Sequence, residues 1–285
     1  MKARLLIPLT LLLLLFACKK QETPGTSQLV VEGWIESGGH PIVTVSESIG
    51  IVTGKEMYPK DLLDHLAKWA KVSVSDGENT VILTGMADSQ YFPPYIYTSS
   101  RITGEVGKTY SLRVEYKDYV ATATATIPEP VPLDTVYVKS VSRDSLCHVM
   151  CGFTDPAPKG NYYKVFTKTK DVDAHYHPSA MATYSDDQIE GYTEVFLYST
   201  QRLLDYIDMP NLKQGQELWV KLCTMERSTF LFWQNFENML MTNVGNLTAR
   251  TDSDLDQGMQ GALGYWAGYG VAEEKHLILD IPQEE

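Results

Sequence analysis

The sequence predicts a mainly β protein: an N-terminal antiparallel sandwich, then a second mainly β domain that carries one amphipathic helix. Three observations predict it. Apolar and polar residues alternate in repeated runs, beginning with Leu29, Val31, Gly33 and Ile35 against Val30, Glu32, Trp34 and Glu36, the period of a strand with one wet face. Turn pairs such as Gly38-Gly39, Asp76-Gly77 and Lys117-Asp118 separate the runs at the short spacing of hairpins. Aromatic residues make up 11% of the chain, and 17 residues are Tyr, a composition that suits strands and supplies a core.

Residues 1–17 read as a lipoprotein signal peptide. Met1 to Arg4 is a short positive segment, and residues 5–17 are an apolar run, broken by Pro8 and Thr10, that ends on the small Ala17. This is the layout of an export signal. The run is too short to remain as a span, which takes about 20 apolar residues. Leu15-Phe16-Ala17-Cys18 resembles the bacterial lipobox, which makes Cys18 the expected lipid attachment site. At about 0.8 kcal/mol per buried methylene, several acyl chains would hold the protein on a membrane. Residues 18–28, with their polar KKQETPGTSQ stretch, read as a flexible tether.

Residues 29–127 form the expected N-terminal sandwich. After the first strand, PIVTVSES continues the alternation. YPKDLLDHLAKWA then sets Leu62, Leu63, Leu66, Trp69 and Ala70 at helical spacing, which predicts a short helix or a helical excursion there. KVSVSDGENTVILTG and TYSLRVEYKDYVATATATI each read as a hairpin, and in the second Tyr110, Leu112, Val114 and Tyr116 share one face. Roughly seven short strands in about 100 residues is the pattern of a small antiparallel sandwich. Between them, YFPPYIYT reads as a loop whose Tyr91, Tyr95 and Tyr97 either offer flat faces to a sugar or partner, or pack around Pro93-Pro94.

Residues 128–133 are a Pro-rich linker, with Pro128, Pro130 and Pro132 on alternate positions, unable to donate ladder hydrogen bonds. The second domain spans 134–285. Its expected strands are TVYVKSVS, LCHVMCGF, NYYKVFTKT, YTEVFLYS, ELWVKLCTM and KHLILDI. A helix near 229–242 carries Phe232, Trp233, Phe236, Met239 and Leu240 on one stripe, with Ser228 or Thr229 as its cap, and the stripe is expected to face the core. GALGYWAGYG reads as a Gly-rich loop that presents Tyr265, Trp266 and Tyr269.

The formal net charge is −12, and loss of Lys2 and Arg4 with the signal makes it two units more negative. Phosphate backbones would repel such a chain, so no nucleic acid partner is expected. Cys147 and Cys151 lie four apart in one strand, about 13 Å, too far for a disulfide. Either could meet Cys223, although buried free thiols are the plainer reading. No nucleophile elbow, His-Glu-x-x-His, Walker loop or dinucleotide fingerprint is present in the sequence. The chain is therefore expected to be non-enzymatic, without cofactor or catalytic residues. His175 and His177, with Asp171 and Asp173 nearby, approach a metal set but lack a third fixed ligand, so no metal is assigned. Asp252, Asp254 and Asp256 have calcium-loop spacing, but Gln257 stands where the loop needs Gly and Leu263 where it needs an acid. A solvated acidic loop is the expectation there.

The lipobox, LVVEGWIESGGHPIVTVSES, AKVSVSDG, GKTYSLRVEY, IPEPVPLDTV, FTDPAPKGNYYKV and GALGYWAGYG occur in an order that resembles the Bacteroidota lipoprotein family called domain of unknown function 4249. The resemblance runs from about residue 18 to the C-terminus. It implies a mainly β lipoprotein, often encoded beside an outer-membrane TonB-dependent receptor, with an N-terminal region similar to carboxypeptidase-regulatory or transthyretin-like sandwiches, in line with the transthyretin/Ig-like antiparallel sandwich expected for that part. It brings no catalytic residues. Trp266 stands where the family usually has Phe. Asp134-Thr135-Val136 and Asp144-Ser145-Leu146 also resemble a glycosylation pattern of exported proteins of that phylum. The functional expectation is an outer-membrane-anchored accessory or binding subunit of a TonB-dependent receptor. The alternative is a stand-alone carbohydrate-binding surface lipoprotein with a glycan as partner.

Overall fold

The structure is a computed structural model that describes residues 28–48, 63–140, 147–157, 159–187, 189–197, 215–243 and 258–279. Residues 1–17, Cys18, the tether but for Gln28, the Asp252 to Asp256 loop and Asp144-Ser145-Leu146 lie outside the described residues.

Eight strands precede the Pro-rich segment: β1 (Leu29–Glu36), β2 (Ile42–Glu47), β3 (Lys71–Ser75), β4 (Thr80–Ile82), β5 (Thr84–Ala87), β6 (Tyr95–Thr98), β7 (Thr109–Tyr116) and β8 (Tyr119–Thr126). After it come β9 (Leu133–Ser140), β10 (Cys147–Thr154), β11 (Tyr162–Thr169), β12 (His177–Ser185), β13 (Tyr192–Leu197) and β14 (Glu217–Met225). Helix α1 (Arg227–Asn243), β15 (Met259–Gln260), β16 (Leu263–Val271) and β17 (Lys275–Ile278) complete the described elements. No helix among the described residues is long and apolar enough to cross a membrane.

A nine-stranded sheet runs β12-β11-β14-β16-β1-β2-β6-β5, with β17 added on β14. A five-stranded sheet runs β15-β8-β7-β3-β4, and a three-stranded sheet β13-β10-β9. Antiparallel pairing dominates, and the fold is the mainly β sandwich type that the alternation predicts. The ladder between β1 and β16 is parallel, with Val31 opposite Gly264 and Glu36 opposite Tyr269.

One face of the long sheet floors two cores. Because strand side chains alternate, Leu29, Val31 and Ile35 of β1 and Trp266 of β16 point together at Val72, Tyr110, Leu112 and Val114 of the five-stranded sheet. Farther along the same face, Tyr163 and Val165 of β11 and Leu218, Val220 and Leu222 of β14 meet Val149, Cys151 and Phe153 of β10. These side chains are almost wholly buried, each stabilising the fold by about 1.5–3 kcal/mol. The opposite face carries Phe166, Cys223, Met225, Tyr265, Ala267 and Tyr269, and α1 lies over it with Phe230, Phe232 and Trp233. The described part of the stripe, Phe232, Trp233 and Phe236, thus faces the core as expected, while the side chains of Met239 and Leu240 lie outside the described ones.

Four sequence expectations change. GALGYWAGYG is no loop: most of it is β16, buried from Gly264 to Gly270 between β1 and β14. Its glycines let backbones approach, since a Cβ on Gly268 or Gly270 would fall 2.5 Å from the Thr126 carbonyl oxygen or 2.2 Å from that of Pro128. Strand pairing also crosses the boundary expected at 128–133, because Met259 pairs with Ala123 and β16 with β1. The helix expected over YPKDLLDHLAKWA does not continue through its described part: Leu66 forms a strand bridge with Ser46, and Trp69 is 91% exposed; Leu62 lies outside the described residues. Finally, Tyr95 and Tyr97 belong to β6 rather than a loop.

Candidate functional site

The helix covers only part of its face of the long sheet. Beyond its end, β11 and β14 continue with Lys168, Trp219 and Lys221 on the same side as Phe166, and β1 adds Trp34 and Glu36. Two segments fold over this row, the 88–94 stretch before β6 and the 170–176 turn before β12. Each carries residues that stand out in the sequence, Tyr91 in one and His175 in the other, and the fold brings them together. Tyr91 stacks on His175 with ring centroids 4.2 Å apart and leans on Trp34 at 6.2 Å. Asp88 faces the His175 Nε2 at 3.7 Å.

Beneath them, Tyr176 is held between charges. Its hydroxyl donates to Glu274, and the Lys221 ammonium stands 4.4 Å from its ring centre. Lys221 in turn donates to both oxygens of Glu36 at 2.6 and 2.8 Å. Burial, aided by Asp88 and Glu36, pushes the Tyr91 hydroxyl up to about 12, so it remains a neutral donor at ordinary pH. Burial and the hydrogen bond to Glu274 push Tyr176 upward as well.

A cavity of about 450 Å³ opens beside this cluster, lined by Gln90, Lys168, Lys170, Asp171, Asp173 and Trp219 among others. Lys170 is tied to Glu217 at 2.7 Å, and Glu217 also faces His276 at 3.2 Å. Asp173 accepts from the Thr169 backbone N–H and faces His177 at 3.5 Å. The two histidines therefore answer to different carboxylates. Among the described residues no three His, Cys, Asp or Glu side chains converge as a metal set.

The other expected aromatics have structural places. Tyr97 is 2% exposed and its hydroxyl donates to Ala67 O while accepting from Ala70 N–H; Tyr95 donates to Lys68 O at 3.3 Å. Together they pin the 66–70 strap. Tyr265 is buried against Phe232 at 4.5 Å, and Tyr269 accepts from the Trp233 indole at 2.8 Å. Trp266 donates to Tyr110 O at 2.9 Å inside the sandwich. These three therefore cannot present themselves to a partner as a loop would. Cys151 and Cys223 are free and buried. Burial raises both thiols, Cys151 to about 12, which makes them inert rather than nucleophilic.

Glu32 lies on the same sheet face, opposite Tyr265 in the β1–β16 register. Burial raises its carboxyl above the usual range. A carboxyl raised in the folded state adds stability fully below its unfolded pKa, near 4.3, and loses it as pH rises through the folded value. Glu32→Gln should therefore raise the melting temperature at pH 8 and make little difference at pH 4. Equal shifts at both pH values, read by thermal denaturation, would contradict this.

The fold is mainly β, and the 88–94 and 170–176 segments meet over one face of the long sheet beside the cleft. The chain belongs to the family described as domain of unknown function (DUF4249), whose model matches residues 18–275. No curated protein matches the chain. Sixty-one chains of solved structures match. One, a cytokine receptor complex in crystal form 1A, is 10% identical, covers 87% of this chain and 94% of that chain, and superposes with a TM-score of 0.25. A likeness that weak carries no argument about function.

Proposed function

We propose that the chain is a non-enzymatic accessory lipoprotein, held to the outer membrane by lipid on Cys18, that binds a TonB-dependent receptor or presents substrate to it. The observation that carries this reading is the meeting of Tyr91 and His175, from distant segments, over an open cleft on a rigid sheet. Loops placed by a rigid scaffold are where binding surfaces are built, and half-buried aromatics with polar tips are their usual anchors. The family resemblance supplies the class of partner.

Crosslinking intact cells, gentle solubilisation and mass spectrometry test it. A β-barrel receptor should be recovered in near-equal amount with the lipidated protein. Recovery of the protein alone would overturn the reading.

A second reading, stand-alone carbohydrate binding, has its own observation. Tyr137 of β9 and Tyr192 of β13 reach across the three-stranded sheet, and both hydroxyls donate to Glu194 at 3.0 Å. A Cβ on Gly152 would meet the Tyr192 hydroxyl at 2.3 Å, so this tyrosine lies across the glycine with 52% of its surface exposed. Such a held aromatic face could stack on a sugar ring, and a glycan array with the purified chain reads it directly.

A further inference from the structure

We propose that the cleft beside Tyr91 and His175 takes a small zwitterion, a short peptide with free amino and carboxyl ends; this rests on reading that face as a recognition surface. The volume, about 450 Å³, lies within the range of about 300–1,000 Å³ in which small-molecule sites are found. The lining charges are the stronger guide. Of the two ammonium groups, Lys170 is engaged by Glu217. Lys168 instead lies over the rings of Tyr176 and Trp219, 5.9 and 5.8 Å from their centres, and makes no ion pair among the described residues. Aromatic faces hold a cation in place without pairing it with an anion, so Lys168 is available to an anionic group.

Of the two carboxylates, Asp173 is occupied by the Thr169 N–H and by His177. Asp171 sits at the turn with φ 60°, next to Lys170 in the chain, and accepts no hydrogen bond among the described residues. Among the described residues the cleft thus carries one available cation and one available anion. Between and beside them lie apolar surfaces, Val172 at 64% exposed and the Trp219 indole. A ligand that matches all three must bear a carboxylate, an ammonium and an apolar side chain. A polyanion would match Lys168 alone, and the net charge of −12 would repel it.

The test is calorimetric titration of the purified full chain with the tripeptide alanyl-leucyl-alanine, and with its amidated, N-acetylated and doubly blocked forms. Free tripeptide should bind, and each block should weaken binding about tenfold or more. Lys168→Gln should abolish sensitivity to amidation while Lys168→Arg keeps it, and Asp171→Asn should abolish sensitivity to acetylation, the pattern of two independent charge contacts. Both side chains are at the surface, and Asn tolerates the left-handed turn, so folding is retained. No binding at millimolar peptide, equal binding of the doubly blocked form, or unchanged discrimination in the variants would overturn the proposal. A receptor recovered from cells alongside a failed titration defeats this inference alone; a peptide bound with no receptor recovered defeats the accessory reading alone.

Discussion

Lys164→Met should destabilise the protein by about 3–5 kcal/mol, a large share of the 5–15 kcal/mol that holds an ordinary domain. Lys164 sits in the middle of β11 with a side chain 0% exposed, and its ammonium is 2.5 Å from a carboxylate oxygen of Glu237 on α1, itself 7% exposed. It also donates to Ser179 O at 2.8 Å and faces the Trp233 ring at 5.1 Å. Burial lowers the Lys164 ammonium below its ordinary value, against the pull of Glu237. At this lysine desolvation thus outweighs the attraction of Glu237. Removing the lysine leaves a carboxylate buried and uncompensated, which is why one-sided loss is costly. Glu237 also accepts from Ala182 N–H and the Thr183 hydroxyl at 3.2 and 2.9 Å. Adding Glu237→Gln keeps an acceptor for both and removes the stranded charge, so the double variant should recover most of the loss in urea denaturation. A double variant as unstable as Lys164→Met would show that the lysine acts through packing instead.

Gly264→Ala should cost more than about 3 kcal/mol and disrupt the union of the two halves of the long sheet. Gly264 has φ 114°, and a Cβ there would lie 1.9 Å from the Val31 carbonyl oxygen and 2.8 Å from its carbon. The obstacle is backbone, so no rotamer relieves it. To make room, β16 must leave β1, and Trp266 goes with it from a core where it is 4% exposed. Gly38 is the control, with φ 76° and nothing within 4 Å of its Cβ. Gly38→Ala should cost only the roughly 1–2 kcal/mol of a left-handed residue. Tryptophan fluorescence on urea unfolding measures both. Equal midpoints for the two variants would refute the account of β16.

These two sites also show what the sequence could and could not tell. Strand β1 is readable because its buried apolar residues alternate with a half-buried face bearing Glu32 and Glu36, and α1 because its stripe of Phe232 and Trp233 faces one way. Strand β16 was hidden because glycine ordinarily marks a loop. Its signal was present, since Gly264, Trp266, Gly268 and Gly270 alternate with Tyr265, Ala267 and Tyr269. Strand β12 was masked by the histidine and proline that open it. Lys164 was visible as one cation among the buried residues of β11, but Glu237 is 73 positions away, and no local pattern links them. The same limit applies to the cleft. Tyr91 and the Asp171 to His177 stretch were each picked out for their chemistry, yet only the folding of both over one sheet face brings Tyr91 onto His175.

The most direct test of the account places a photo-reactive side chain at Gln90, at the mouth of the cleft, and in a second strain at Glu78, in the exposed turn between β3 and β4. Irradiation of intact cells followed by mass spectrometry should yield receptor peptides bound at position 90 and none at position 78. Receptor peptides at 78 alone, or at neither position, would contradict a recognition surface built from the Tyr91 and His175 segments.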